Sequence, residues 1–175
     1  MAPSFPTPNV ITGSCLCGCL RYRVDLPANH NFETFAPHNA CQCTQFRKQI
    51  VPLFFAAHMV APASTAFRFT TPTTTLQTYR ASDAGERVIC TECWSFICRK
   101  PTNKENDFVC FTLGTVDPLY LFNEGADGAE LPHDGFGLAL ANGSGQHFWC
   151  RNEIKGLRMG LSCSAKGGAG GVWWA

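Results

Sequence analysis

Three tight cysteine pairs carry most of the chemistry this chain can do. Gly13-Ser14-Cys15-Leu16-Cys17-Gly18 holds a C-x-C, Cys41-Gln42-Cys43 holds another, and Cys90-Thr91-Glu92-Cys93 is a C-x-x-C. Thiols at this spacing converge from a single turn. Two such pairs brought together supply the four tetrahedral ligands of a structural zinc, each about 2.3 Å from the metal. A closed site of that kind does no chemistry of its own but fastens distant segments together. The chain holds eleven cysteines, an odd number, and residues 1–10 carry neither a basic stretch nor an apolar core. Both observations argue for reduced thiols rather than a disulfide framework, and for a cytoplasmic protein. A C-x-x-C also serves redox enzymes, but no βαβ pattern accompanies it here. Spacing alone leaves open which pairs share a metal.

The elements that must position these thiols read as short strands. Leu20, Tyr22 and Val24 alternate with Arg21, Arg23 and Asp25, and Phe67 and Phe69 flank Arg68. Such alternation predicts half-buried strands. Val109, Phe111 and Leu113 predict a third, with further strands at residues 53–59, 76–79, 87–90, 95–99 and 146–151. Helical periodicity is weak; one turn is expected at residues 118–122, after Asp117. Residues 70–75 are rich in Thr and Pro and read as a loop. The expectation is one mostly-β domain of antiparallel sheets over residues 11–160, with an extension at 1–10 and a flexible Gly-rich tail at 161–175. Within that tail, Trp173 and Trp174 read as a possible docking or oligomer contact. The oligomeric state is left open.

Composition narrows the partners. Fourteen basic and thirteen acidic residues give a net charge of +1, with no basic stripe, so nucleic acid is not the expected ligand. No apolar run approaches the roughly 20 residues that span a bilayer, and no membrane partner is expected. A small molecule is.

The three motifs in order resemble the glutathione-dependent formaldehyde-activating enzymes, also called the centromere protein V family. Residues 13–18 followed by Arg21-Tyr22 are similar to that family's opening motif, and residues 41–48 resemble its C-H-C-x-x-C-R. Arg87-Val88-Ile89-Cys90-Thr91-Glu92-Cys93 matches the strand ending in C-x-x-C, and Gly114-Thr115-Val116-Asp117 resembles the G-T-L-D segment that follows. His147 falls where the family commonly carries a histidine. The resemblance implies a tent-like antiparallel β fold fastened by a structural zinc on Cys15, Cys17, Cys90 and Cys93. It also implies a second, reactive zinc, for which Cys41 and Cys43 are the matching ligands. The implied activity is that of a carbon–sulfur lyase, making or breaking an adduct between glutathione, or a similar thiol, and a small carbonyl compound.

The reactive motif is altered. Phe46 stands where the family has its third cysteine, Ile50-Val51-Pro52 replaces a small glycine-containing triplet, and Trp94 replaces the glycine after the third motif. A phenyl ring cannot bind zinc, and a catalytic zinc usually needs three protein ligands. Cys19, Cys98 and His38 are the candidates for a replacement ligand. In a metal-free pocket, Phe46, Phe54, Phe55 and Trp94 would suit a larger, aromatic or polyketide-like substrate. The catalytic candidates are then Cys41 or Cys43 as nucleophile, with Arg47 and Lys48 lowering the thiol pKa. Arg47 would also meet a substrate anion. His58, Asp117, Glu92 and His147 are candidates for acid–base work. The expected activity is a tailoring step of lyase, isomerase or dehydratase type; the alternative is a zinc-held binding or scaffold domain.

Overall fold

The computed structural model describes residues 5–32, 38–126, 131–141, 146–149 and 152. The tail at 161–175, with Trp173 and Trp174, lies outside the described residues. Two antiparallel sheets dominate. The smaller runs β1(Val10–Ser14), β2(Arg21–Asp25) and β5(Phe67–Phe69), in the order β1-β2-β5. The larger has the order β10-β3-β4-β9-β8-β7-β6, from β3(His38–Cys41), β4(Phe55–Val60), β6(Leu76–Ser82), β7(Gly85–Cys90), β8(Phe96–Pro101), β9(Val109–Thr112) and β10(Gln146–Phe148). Every pairing is antiparallel except β10 with β3. The helices are short: α1(Thr44–Ile50), α2(Ala63–Ala66), α3(Pro118–Phe122) and α4(Gly137–Ala141). No helix among the described residues is long and apolar enough to cross a membrane.

The alternation of β2 is realised as read. Tyr22 and Val24 are buried while Arg21, Arg23 and Asp25 are half-buried, because successive residues of a strand point to opposite faces. The paired β1 buries Ile11 and Gly13. Gly13 lies opposite Tyr22, and a Cβ there would overlap the Tyr22 ring and the Thr115 carbonyl. The Tyr22 hydroxyl in turn hydrogen-bonds the Thr115 hydroxyl at 3.0 Å. Gly13→Ala should therefore lower stability by about 3 kcal/mol, the upper range for overpacking. The denaturant midpoint reads this, and an unchanged midpoint would mean that β1 shifts away without cost.

The larger sheet carries a different core on each face. On one face Val60, Val88, Cys98, Val109 and Phe111 pack against Ile11, Tyr22 and Val24 of the smaller sheet. Tyr22 stacks on Phe67 at 5.2 Å. On the other face Cys41, Phe55, Ala57, Phe96 and Cys110 form a second buried cluster, closed by Phe46 from α1. Two-residue alternation assigns the strands. In β9, Val109 and Phe111 join the first core and Cys110 the second; in β4, Val60 joins the first and Phe55 and Ala57 the second. A bulge between Val88 and Ile89 leaves Ile97 of β8 without a partner in the register, so Ile97 and Cys98 both join the first core.

Helix α1 was not legible as periodicity because only Phe46 of its residues is buried. It starts at Cys43, whose sulfur accepts from the Phe46 N–H at 3.4 Å. It stops at Val51, which has φ 71, immediately before Pro52.

Candidate functional site: two thiol centres on opposite faces of one sheet

The hairpin turn after β1 presents Cys15 and Cys17, and the turn after β7 presents Cys90 and Cys93. Their four sulfurs all lie within 4.8 Å of one another. Cys15 Sγ is 3.4 Å from Cys17 Sγ, which is 3.8 Å from Cys90 Sγ. Thiolates about 2.3 Å from a tetrahedral zinc stand about 3.8 Å apart, so the donor set fits. Backbone geometry supports each turn. Gly18, with φ 77, closes the first, where its N–H reaches the Cys15 carbonyl at 3.0 Å. The Leu20 N–H points at Cys15 Sγ from 3.2 Å, as an outer-shell donor to a thiolate does. The Trp94 N–H closes the second turn on the Cys90 carbonyl at 2.9 Å. Cys15 and Cys90 are buried, Cys17 is exposed and Cys93 half-buried, so a metal here would sit at the surface end of the first core. The four cysteines can hold one metal ion, and that ion would tie the smaller sheet to β7 of the larger. Among the described residues no other group of three or more candidate ligands comes together.

The second centre lies on the opposite face. Cys41, at the end of β3, is 1% exposed; Cys43 caps α1 and is half-buried. The hydrogen bond from Cys41 is the largest influence on Cys43. With the N–H groups of Phe46 and Gln45 and the charge of Arg87, it outweighs burial and holds the Cys43 thiol down at about 6. Cys41 moves the other way, pushed up by the same hydrogen bond and by burial, so it keeps its proton. The hydrogen bond between them thus favours ionisation at Cys43 over Cys41.

Phe46 fills the position next to this pair. It is 3% exposed and stacks on Phe55 at 4.3 Å, with an angle of 11° between the rings. Phe96 lies 5.1 Å from Phe55. These rings pack against one another rather than lining an opening together. Phe54 is half-buried, and Trp94 is 71% exposed on the far side of the sheet, at φ 60 beside the four-cysteine cluster. The expectation that four aromatic side chains share one pocket gives way to a filled aromatic core with half-buried apolar residues at its edge. Ile50, Ile89, Phe108, Phe148 and Trp149 pack there, together with Cys43 itself.

The other candidates fall as follows. Arg47 is committed to backbone: its Nε donates to the Leu53 carbonyl at 2.9 Å and an Nη to that of Asn152. Lys48 is exposed. Cys98 is fully buried in the opposite core, where burial pushes its thiol to about 12. Cys19 is exposed, near Cys17. His58 is fully buried in the first core, with Nε2 2.8 Å from His30 Nε2 and Nδ1 3.1 Å from the Leu140 carbonyl. Asp117 is structural: it accepts from Thr12 at 2.5 Å and from Arg21 at 2.7 Å. Glu92 is exposed in the C-x-x-C turn. His38 is paired with His58 in the β3–β4 register, and His147 with Ala40 across β10–β3; their side chains lie outside the described set.

Two arginines were not anticipated. Arg87 and Arg99 are 4% and 3% exposed and face each other across β7 and β8. Arg87 lies over the Phe46 ring, 4.2 Å from its centroid, and donates to Gln49 Oε1. Arg99 lies 5.4 Å over Phe108 and donates to the Ala84 carbonyl at 2.9 Å. The legible signal was parity. In Arg87-Val88-Ile89-Cys90, alternation puts Arg87 on the face opposite Cys90, alongside Ile89 and the second centre.

Among solved structures, a crystal structure of a Rhodobacter sphaeroides protein, a structural-genomics target, is similar to this chain at 18% identity with a TM-score of 0.47, covering 67% of this chain and 91% of that one. No curated protein matches the sequence. The sequence model of the glutathione-dependent formaldehyde-activating enzyme matches residues 10–128, which span the hairpin carrying Cys15 and Cys17, the Cys41–Cys43 pair and the turn carrying Cys90 and Cys93. The chain therefore belongs to the glutathione-dependent formaldehyde-activating enzyme family.

Proposed function

We propose that this family member is an enzyme that makes or breaks a carbon–sulfur bond on a small molecule larger than formaldehyde. One structural zinc sits on Cys15, Cys17, Cys90 and Cys93, and the chemistry is done at Cys41 and Cys43. The observation that carries this reading is the retention of Cys41 and Cys43 side by side on the far face of the sheet, with Cys43 half-buried, while Phe46 stands at the position of the third ligand. The half-buried apolar edge formed by Ile50, Ile89, Phe108, Phe148 and Trp149 suits an aromatic or otherwise apolar carbonyl compound. Glutathione is the thiol partner to test first. Zinc at the four-cysteine site would be closed to substrate and would supply only the cross-link.

A second reading, a zinc-held binding domain, is favoured by one observation. Leu16 is 88% exposed and Trp94 71% exposed, both at the turns that carry the four cysteines. Zinc content and turnover separate the two readings. Protein purified without added metal or chelator should carry about one zinc per chain. It should also consume an aromatic aldehyde in the presence of glutathione, with Cys43→Ser inactive but still loaded with zinc. About one zinc with no turnover of any thiol–carbonyl pair would favour the binding domain, and about two would mean that the second site had recruited a replacement ligand.

A further inference from the structure

A histidine pair stands apart from both thiol centres. His58 of β4 is fully buried, with its ring centroid 5.5 Å from that of Phe111 and 5.9 Å from that of Phe32. It joins two covering segments to the sheet. Its Nδ1 meets the Leu140 carbonyl of α4 at 3.1 Å, and its Nε2 meets Nε2 of the half-buried His30 at 2.8 Å. His30 belongs to residues 26–32, which also plant Leu26 and Phe32 in the first core. The partners fix the proton positions. A carbonyl oxygen can only accept, so His58 Nδ1 carries a hydrogen. Nε2 of a neutral His58 is then an acceptor, and His30 Nε2–H donates to it.

From this geometry we infer that His30 and His58 form an acid-sensitive latch, which holds residues 26–32 and α4 on the first core and releases them when both rings are protonated. One added proton is accommodated: it goes to His30 Nδ1 and leaves both hydrogen bonds in place. A second does not fit. It would set N–H against N–H across 2.8 Å and put a charge into an apolar core. The elements packed on His58 point the same way. Strand β3 sets His38 opposite it in the register, a third imidazole rather than an acid. Strand β9 sets Phe111 opposite it, while Cys110 of that strand belongs to the other core. Helix α4 and Leu113–Thr115 consist of Gly, Ala, Leu and Thr and carry no titratable side chain. Tyr22 of the smaller sheet contacts Phe111, and burial keeps its hydroxyl protonated. Phe46 of α1 packs in the cluster on the opposite face. In the opened form both rings titrate near pH 6.5, as free histidines do, whereas the closed form excludes the second proton. The closed form therefore keeps its full advantage above about pH 6.5 and loses about tenfold for each pH unit below it.

The test is amide hydrogen exchange of the zinc-loaded full chain, read by mass spectrometry between about pH 7.5 and about pH 5.5 and corrected for the intrinsic rate. The His30 and Leu140 amides bond the Pro27 carbonyl at 2.8 Å and the Phe136 carbonyl at 3.0 Å. Their protection should fall about tenfold per pH unit below about pH 6.5, while β7 and β8 stay protected and the zinc content holds. His58→Phe keeps an apolar ring but cannot take a proton. Its flap should exchange faster at neutral pH and show no such pH dependence. His30→Gln offers His58 either a donor or an acceptor, so it follows the ring through protonation. It should reduce the dependence to about threefold per pH unit or less, and it decides the matter should His58→Phe fail to fold. Flat protection in the wild type would overturn the latch. So would a full pH dependence retained in His58→Phe or His30→Gln, or a loss of protection that follows zinc release.

Discussion

Cys90→Ser should remove the cooperative melting transition and the bound metal together. Cys90 is fully buried at the end of β7, and its backbone holds the turn through the Ser95 carbonyl at 3.0 Å and the Trp94 N–H at 2.9 Å. Its sulfur faces Cys17 in the hairpin turn of the smaller sheet, so the lost ligand is also the lost tie between sheets. Structural zinc contributes on the order of 10 kcal/mol or more of apparent free energy. Whole domains have only about 5–15 kcal/mol of net stability, so the loss should leave little folded protein. A strong chelator should reproduce the effect in the wild type. Cys19→Ser, which alters an exposed thiol nearby, should melt normally with full metal. Thermal unfolding with parallel elemental analysis makes the measurement. A normal transition and full metal in Cys90→Ser would refute the assignment of the four ligands.

Phe46→Cys should have two opposed effects. Removing the ring takes away the stack on Phe55 at 4.3 Å and the surface beneath Arg87. By analogy with other buried Phe truncations this should cost about 3–5 kcal/mol. The new thiol would stand three residues after Cys43, one helical turn on, where a third ligand could join Cys41 and Cys43. Zinc content should therefore rise toward about two per chain. Added zinc should restore stability to Phe46→Cys but not to Phe46→Ala, which makes the same cavity without a ligand. Equal behaviour of the two variants across a zinc titration would mean that the segment ending at Val51 and Pro52 no longer lets three thiols converge.

The residues that do chemistry were largely visible in the sequence, because chemistry depends on residue type and local spacing. Cys15 and Cys17, or Cys90 and Cys93, lie within one turn of each other whatever the rest of the chain does. The alternation of Tyr22 and Val24 or of Val109 and Phe111 needs only the two-residue period of a strand, and those strands stand where they were expected. Local reasoning failed where burial comes from elsewhere in the chain. Strand β1 includes Gly13 and Ser14, which carry no strand signal of their own, and the Tyr22 ring lies over Gly13. Strand β3 shows no alternation of its own and is defined by β4 and β10 on its two sides. Helix α1 buries a single ring. Only the tertiary structure decided that the two thiol centres lie back to back on one sheet. The same packing turned Arg47 toward backbone carbonyls and brought the distant Arg87 over the Phe46 ring. A cation–ring contact depends on which residues the sheet brings together, so the guanidinium over Phe46 comes from forty-one residues along the chain and not from the adjacent Arg47.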